Sequence, residues 1–234
     1  MKDVRNTLGA VWRAAQMAGP PGGGRAIMFV GTCEPAEVSS LAASFAWLCA
    51  ERGQGPVWLL DLDFRSNPMF QGFDDGFAGD AARPGRAFDA RLGGPPLYSS
   101  TSGGAVKTRV GADPDKLLSF HAVTGSRLLV SRFRTEALAP GQRLVFSRQS
   151  GWWRAARSKA DWIIVHAPPT QGSGAALSMA GDVDGTIMAI EADKTGLDAA
   201  FDLRDDVEAE GGRVIGTVMT GVRGDARFAT RIAA

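Results

Sequence analysis

Ile27-Met-Phe-Val-Gly-Thr-Cys-Glu-Pro-Ala-Glu-Val-Ser-Ser40 joins a short apolar run to a turn that begins at Gly31. Four consecutive apolar residues bounded by a turn are typical of a buried strand. Beyond the turn, Leu41, Phe45 and Leu48 recur at the spacing of one helical face. The stretch therefore predicts a strand, a ligand-facing turn and a helix, in that order.

The rest of the body repeats this alternation of apolar runs and helical patterns. A second helical pattern carries Leu197, Phe201 and Val207. Apolar strands joined by helical crossovers predict a mainly parallel sheet with helices on both faces, which is the α/β doubly wound fold class. The further predicted strands are residues 57–60, 162–165, 186–190 and 214–219.

Three segments outside this pattern define the predicted domain organisation. Residues 1–18 form a helical arm with Val4, Leu8, Val11, Trp12 and Ala15 on one face, and the Gly/Pro run at 19–24 is a flexible linker. The arm either folds back on the core or docks on another subunit. Residues 25–234 are one domain, in which 66–126 form a long irregular insertion.

Composition excludes several classes of protein. A net charge of +1 gives no case for nucleic acid as the main partner. No apolar run reaches the roughly 20 residues that span a bilayer, and the N-terminus lacks the pattern of a secretory signal, so we expect a cytoplasmic protein. Two cysteines and two histidines favour neither a disulfide framework nor a zinc hydrolase.

The turn after the first strand is where a doubly wound fold binds its ligand. A phosphate-binding P-loop there needs glycines, a lysine for the β- and γ-phosphates and a hydroxyl for magnesium. Ser39 and Ser40 stand at the hydroxyl positions, but Glu37 replaces the second glycine and Val38 replaces the lysine. Both replacements disfavour ATP, because one adds an anion and the other removes the counter-charge.

Two further motifs follow strands of the predicted sheet. Asp61-Leu-Asp63-Phe-Arg65 ends the run at 57–60, where two carboxylates can reach hydrated magnesium or the proton of a nucleophile. The segment Asp161-Trp-Ile-Ile-Val-His166-Ala-Pro-Pro169 ends a later strand in a histidine, and an imidazole is not the oxygen ligand that Mg²⁺ requires.

In this order the motifs resemble the bacterial tyrosine-kinase ATPases of capsule and exopolysaccharide synthesis, which are related to MinD and ParA. The resemblance covers residues 25–70 and 160–222 and implies a fold of the P-loop NTPase type. His166 stands where the family has a metal-associated aspartate. Thr220 stands where an asparagine reads adenine. The resemblance assigns nucleotide binding to Glu37, Val38, Ser39, Ser40, Arg65 and Thr220, and a metal to Asp61, Asp63 and His166.

Other family features are also altered. Of the three charged positions that the family uses for ring assembly, only Arg5 remains, and no tyrosine-rich tail follows residue 222. The resulting hypothesis is a degenerate, non-catalytic protein that requires no cofactor. The resemblance implies a role in capsular, exopolysaccharide or holdfast-type synthesis. Its partner would be the cytoplasmic part of a membrane polysaccharide co-polymerase or chain-length regulator, which would recruit it to the inner face of the membrane.

Three alternatives belong to other classes. In an active ATPase or protein-tyrosine autokinase, Asp61 and Asp63 would hold the magnesium of Mg-ATP and Arg65 would supply charge. A MinD- or ParA-like spatial organiser would need a second P-loop lysine and an amphipathic tail, and the sequence has neither. A dinucleotide enzyme would need Gly-x-Gly-x-x-Gly in the first turn. A homo-oligomer remains an open alternative.

Overall fold

Strands and helices alternate as predicted up to residue 74 and again from residue 151, whereas the described residues between 84 and 146 form five strands with no α-helix between them. A computed structural model of the chain describes residues 1–20, 22–32, 35–92, 96–102, 117–138, 142–148, 151–170 and 174–222. The strands are β1 (Arg25–Gly31), β2 (Val57–Asp61), β3 (Pro84–Asp89), β4 (Tyr98–Ser102), β5 (Leu118–Val123), β6 (Leu128–Phe133), β7 (Gln142–Phe146), β8 (Trp162–His166), β9 (Gly185–Glu191) and β10 (Val214–Thr220). The helices are α1 (Gly9–Gln16), α2 (Pro35–Arg52), α3 (Pro68–Asp74), α4 (Gly151–Arg157), α5 (Ala175–Met179) and α6 (Leu197–Ala209).

One eight-stranded sheet has the order β10-β9-β1-β8-β2-β6-β5-β3. The five strands predicted from sequence, β1, β2, β8, β9 and β10, are neighbours and pair in parallel. β5 pairs antiparallel with β6, and β3 pairs antiparallel with β5. The prediction of a mainly parallel α/β fold of the P-loop NTPase type is confirmed.

Both faces of the sheet are covered, which explains why the central strands are apolar at nearly every position. On β1, Met28 and Val30 belong to a core cluster that includes Trp152 of α4. Ile27 and Phe29 belong to the cluster on the opposite face, where Phe29 packs against Phe45 of α2 with ring centroids 5.4 Å apart. Successive side chains of one strand therefore serve two separate cores.

The region 66–126 is more regular than predicted. In its described residues it contains α3, β3, β4 and β5, and β5 extends the main sheet beside β6; residues 93–95 and 103–116 lie outside the described part. The prediction of an irregular insertion is wrong for the described residues. The pattern was missed because β3 is exposed along most of its length and β4 is polar at nearly every position.

The N-terminal arm folds back on the core, which resolves the alternative that the sequence left open. Its α-helix begins at Gly9, after a 3₁₀ turn at Arg5–Thr7. Leu8 is buried, and the Trp12 ring lies 5.2 Å from that of Trp162 and 6.3 Å from that of Phe45. No helix in the described residues is long and apolar enough to cross a membrane.

The linker between arm and body is partly packed. Gly24 is buried, and a Cβ atom there would lie 2.1 Å from the Ala160 carbonyl oxygen. A side chain at this position would therefore force the backbone apart. Pro21 lies outside the described residues. The predicted flexible joint is thus, at Gly24, a close contact between backbones.

Candidate functional site: a buried hydrogen-bond network at the strand ends

The carboxyl ends of β2 and β8 bring two of the predicted site residues together. The strands are parallel neighbours, and Asp61 is the register partner of His166. Residues in register on adjacent strands point to the same face of a sheet. Both side chains are almost completely buried, with exposed fractions of 1% for Asp61 and 2% for His166.

His166 connects the strand ends to the helix that follows the phosphate-loop position. Its Nδ1 lies 2.8 Å from Asp61 Oδ1, and its Nε2 lies 3.1 Å from the Oγ of Ser39 on α2. Since a carboxylate only accepts, we assign a proton to Nδ1, and Nε2 forms the second hydrogen bond of the ring, with the Ser39 hydroxyl. We call Ser39, Asp61 and His166 the buried network.

Backbone groups complete the coordination of the Asp61 carboxylate. Oδ1 also accepts from the Asp63 N–H at 3.0 Å, and Oδ2 accepts from the Met69 N–H at 3.0 Å. The Asp61 N–H donates to Ser131 Oγ at 2.8 Å. Ser131 lies on β6, 70 positions further along the chain, and no motif marks it in the sequence. Asp61 is therefore held by protein groups on both oxygens.

The residues present do not fit a magnesium ion at this place. Mg²⁺ takes oxygen ligands in near-octahedral geometry at about 2.0–2.1 Å. Here Ser39 and Asp61 are joined through an imidazole that hydrogen-bonds to both, so the ring occupies the space between the two oxygen groups. Within the described part of the chain, no three His, Cys, Asp or Glu side chains are grouped as metal ligands.

Val38, which the resemblance places at the position of a phosphate-binding lysine, is part of the apolar core. Val38 is 1% exposed and belongs to the same cluster as Phe29 and Phe45. A Cβ atom added at Gly31 would lie 2.9 Å from Val38 Cγ2 and 2.7 Å from the Ala189 carbonyl oxygen. Cys33 and Glu34 of the turn lie outside the described residues. Val38 thus packs under the turn and offers no cation to a phosphate.

The side chains of the other predicted residues do not join the buried network. Ser40 Oγ accepts the Lys2 N–H at 2.9 Å, and Thr220 Oγ1 donates to the Ile190 carbonyl at 3.3 Å. Asp63 is half-buried, and its Oδ1 accepts the Ser66 N–H at 3.1 Å, while Arg65 is exposed. Glu37, Ser40 and Thr220 instead line a cavity of about 820 Å³ between residues 1–7, 37–41 and 218–222. No sequence motif indicated this cavity.

Arg5, which the resemblance connects with ring assembly, and the tyrosine of the sequence are both engaged within the chain. The Arg5 guanidinium pairs with Asp3 at 2.7 Å and with Glu51, and it lies 5.9 Å from the ring centroid of Trp47. Tyr98, the only tyrosine of the sequence, is 3% exposed, and its hydroxyl accepts the Leu118 N–H at 3.2 Å. Neither side chain is free at the surface.

Comparison with solved structures identifies the fold more closely. The kinase domain of the Escherichia coli tyrosine kinase ETK has a TM-score of 0.55 and 15% identity, over 93% of this chain and 74% of that chain. The BceF tyrosine kinase domain has a TM-score of 0.53 and 16% identity, over 94% and 76%. The VpsO kinase domain has a TM-score of 0.50 and 16% identity, over 94% of both chains. Neither a protein-family model nor a curated protein sequence matches the chain.

These neighbours define the class of fold. The chain is an α/β protein of the P-loop NTPase type, as its sheet order and the turn after β1 indicate. Within that class it has the fold of bacterial tyrosine-kinase domains, and the predicted resemblance is confirmed at this level. At these identities the likeness concerns the fold, and the chemistry of the site has to be argued from this chain's own residues.

Proposed function

We propose that this chain is a non-catalytic, kinase-like binding protein in capsular or exopolysaccharide biosynthesis, holdfast-type adhesins included. The observation that supports it is the buried network, in which His166 joins Ser39 to Asp61 by direct hydrogen bonds. Phosphoryl transfer depends almost wholly on positioning and on charge stabilisation by metal and cations. A site whose hydroxyl and carboxylate are joined by an imidazole supplies neither.

The neighbouring positions support the same proposal. Val38 contributes to packing where a lysine would contact phosphates, and Glu37 adds negative charge to the first turn of α2. Tyr98 is buried, so the sequence offers no exposed tyrosine as an acceptor in the folded chain. These three features affect different requirements of phosphoryl transfer, so reversing one of them would not restore the other two.

The proposed partner is the cytoplasmic part of a membrane polysaccharide co-polymerase or chain-length regulator. Such a partner would recruit the chain to the inner face of the cell membrane. The support comes from the fold shared with the ETK, BceF and VpsO kinase domains and from the sequence resemblance to polysaccharide-associated kinases. A two-hybrid or co-purification assay with that cytoplasmic segment tests the partner. A signal that is independent of ATP is the expected result.

Calorimetry tests the absence of nucleotide chemistry. We expect Mg-ATP and Mg-ADP, titrated into the full chain, to bind more weakly than about 1 mM, because the lysine and the metal ligands are missing. Saturable binding tighter than that value would contradict the proposal. It would favour the rival, an active ATPase or tyrosine autokinase in which Asp61 and Asp63 serve Mg-ATP.

A genetic experiment separates the same two hypotheses in the cell. Asp63→Asn keeps a side-chain oxygen for the Ser66 N–H but removes the charge that the rival assigns to magnesium. In a strain lacking the gene, we expect this variant to restore extracellular polysaccharide as fully as the unaltered chain. Failure to do so at equal protein level would support the rival.

A further inference from the structure

Three large apolar side chains are exposed where α6 begins and β10 ends. Leu197 and Phe201 lie one turn apart on α6 and are 74% and 50% exposed, and Met219 of β10 is 58% exposed. The two elements meet there, because α6 is the crossover between the parallel strands β9 and β10 and begins at their carboxyl ends. The Ala192 N–H, shortly before α6, donates to the Thr220 carbonyl at 2.9 Å. We call Leu197, Phe201 and Met219 the exposed patch.

Met219 lies on the face of the sheet that α6 covers. The preceding residue, Val218, packs on the core cluster of the opposite face, and successive side chains of a strand alternate between the two faces. Leu203 and Val207, the buried residues of α6, belong to the cluster on the Met219 side. α6 thus covers this face but leaves the end of β10 open. Exposed apolar groups that lie together mark interaction sites, whereas single ones are ordinary.

The helix that carries most of the exposed patch is acidic. Its exposed carboxylates are those of Asp198, Asp202, Asp205, Asp206 and Glu208. The cations next to and within α6 are paired, Lys194 with Glu191 at 2.7 Å and Arg204, whose guanidinium lies over the Phe201 ring, with Asp205 at 2.6 Å. A second copy of α6 or an anionic membrane would therefore bring like charges together. The patch fits an occupant that combines apolar side chains with positive charge.

Residues 223–234 of the chain combine these two properties. They contain three arginines and one aspartate, together with Phe228 and Ile232. They lie outside the described residues, but they follow β10 after only Gly221 and Val222. Twelve residues extend to about 40 Å, whereas α6 with its 13 residues is about 20 Å long. The segment can therefore reach the whole exposed patch from the end of β10.

We propose that residues 223–234 bind across the exposed patch of their own chain, with Phe228 and Ile232 on the apolar side chains and the arginines against the carboxylates of α6. Exposed ion pairs contribute little by themselves, so the apolar contacts supply most of the binding energy and the charges direct the segment to α6. The covalent connection to β10 gives the segment an effective concentration of about millimolar, so weak contacts suffice. Such binding goes beyond the proposed function and does not depend on it.

Chymotrypsin, which cuts after phenylalanine, tests the proposal on the full chain. Mass spectrometry follows cleavage after Phe228, and a free peptide of residues 220–234 gives the rate for the unbound segment. We expect cleavage to be about tenfold slower in the chain than in the peptide, because proteolysis follows the population of the released segment. This protection should not change with protein concentration. Equal rates in chain and peptide would overturn the proposal, and protection that grows with concentration would overturn binding within one chain.

Matched variants locate the binding on the exposed patch. Phe201→Ser should raise the rate of cleavage after Phe228 towards that of the peptide. Phe88→Ser is the control, because Phe88 is 42% exposed on β3, at the opposite edge of the sheet, and its loss should leave the rate unchanged. Ile232→Ser alters only the segment and should also remove protection relative to a peptide with the same change. Full protection in both Phe201→Ser and Ile232→Ser would overturn the proposal.

An exchange of charges tests the pairing with α6. Asp198→Arg with Asp202→Arg should remove protection, and so should Arg227→Asp with Arg231→Asp, because each pair of changes places like charges together. The four changes combined restore opposite charges and should restore protection, each chain being compared with the peptide of its own sequence. A combined variant that stays as unprotected as its peptide would overturn the proposal.

Discussion

His166 is the residue that most clearly distinguishes the buried network from a metal site. An imidazole with its proton on Nδ1 presents a donor at one end and an acceptor at the other. These ends match a carboxylate on β2 and a hydroxyl on α2, at 2.8 and 3.1 Å. One imidazole ring thereby links three elements of the fold, and we expect the link to be structural.

Removal of the ring tests this role. His166→Ala leaves the Asp61 carboxylate and the Ser39 hydroxyl with one hydrogen bond fewer in a buried place, so we expect a loss of about 3 kcal/mol in the free energy of unfolding. Urea denaturation measures it. His121, the other histidine, is only partly buried and serves as the matched control, for which His121→Ala should cost clearly less. Equal losses would contradict a special role for His166.

Cys49 is a buried thiol whose pKa is changed by its surroundings. Burial raises the pKa of its thiol, and the nearby Arg52 opposes this only partly. The neutral form is favoured in the fold, so its contribution to stability is complete below the unfolded pKa of about 8.5 and declines as the pH rises above it. In a Cys33→Ser chain at about pH 8, Cys49 should not react with Ellman's reagent until denaturant is added. Rapid reaction of the native protein would contradict this.

At the scale of elements, the N-terminal arm closes one face of the sheet. Leu8 and Ala15 are buried, and Trp12 packs against Phe45 of α2 and Trp162 of β8. The Lys2 and Val4 N–H groups donate to the hydroxyls of Ser40 and Ser44 on α2. The arm is therefore bound to the body by apolar and polar contacts together, and it should contribute to its stability.

Two substitutions at the two ends of the arm test this contribution. Leu8→Ala empties a fully buried position, so we expect it to lower the free energy of unfolding by about 3 kcal/mol. Met17→Ala is the control, because Met17 is 86% exposed and its loss should change stability by less than about 0.5 kcal/mol. Chemical denaturation measures the free energy of unfolding of both variants. Equal losses in Leu8→Ala and Met17→Ala would show that the arm is only loosely attached.

At the scale of the whole molecule, the question is whether Arg5 can take part in contacts between subunits. The sequence resemblance connects this position with ring formation, but here its guanidinium is engaged by Asp3, Glu51 and Trp47 of the same chain. The pairing with Arg5 also lowers the pKa of the Asp3 carboxyl. A side chain used internally is not available to a neighbouring subunit without breaking these contacts.

Light scattering coupled to gel filtration tests that expectation. Arg5→Ala should leave the molar mass of the particle in solution unchanged, whatever that mass is, with a small decrease in stability. Arg13→Ala on the exposed side of α1 is the matched control. A shift to a smaller particle in Arg5→Ala alone would show that Arg5 contributes to an interface between subunits.

The sequence predicted the elements that are marked by a continuous apolar run or by an apolar helical face. β1, β2, β8 and β9 are apolar at most positions because both faces of the sheet are covered there, and α2 carries a regular stripe. β10, at the edge of the sheet, is only partly buried. The described strands within 66–126 were missed, since an exposed strand such as β3 and a polar one such as β4 lack the apolar run that marks a buried strand. Residues 223–234, for which the absence of an amphipathic tail was predicted, lie outside the described part.

The sequence by itself determined the fold class, because apolar runs and helical spacing carry that information. That the turn after β1 faces a ligand, and that Val38 replaces a phosphate-binding lysine, stay predictions. Only the tertiary structure decided that His166 joins Ser39 to Asp61, and that Glu37 faces a cavity beneath the arm. These contacts link residues up to 127 positions apart. They depend on strand register and on helix placement, which arise from the packing of the whole core and leave no periodic signal in the chain.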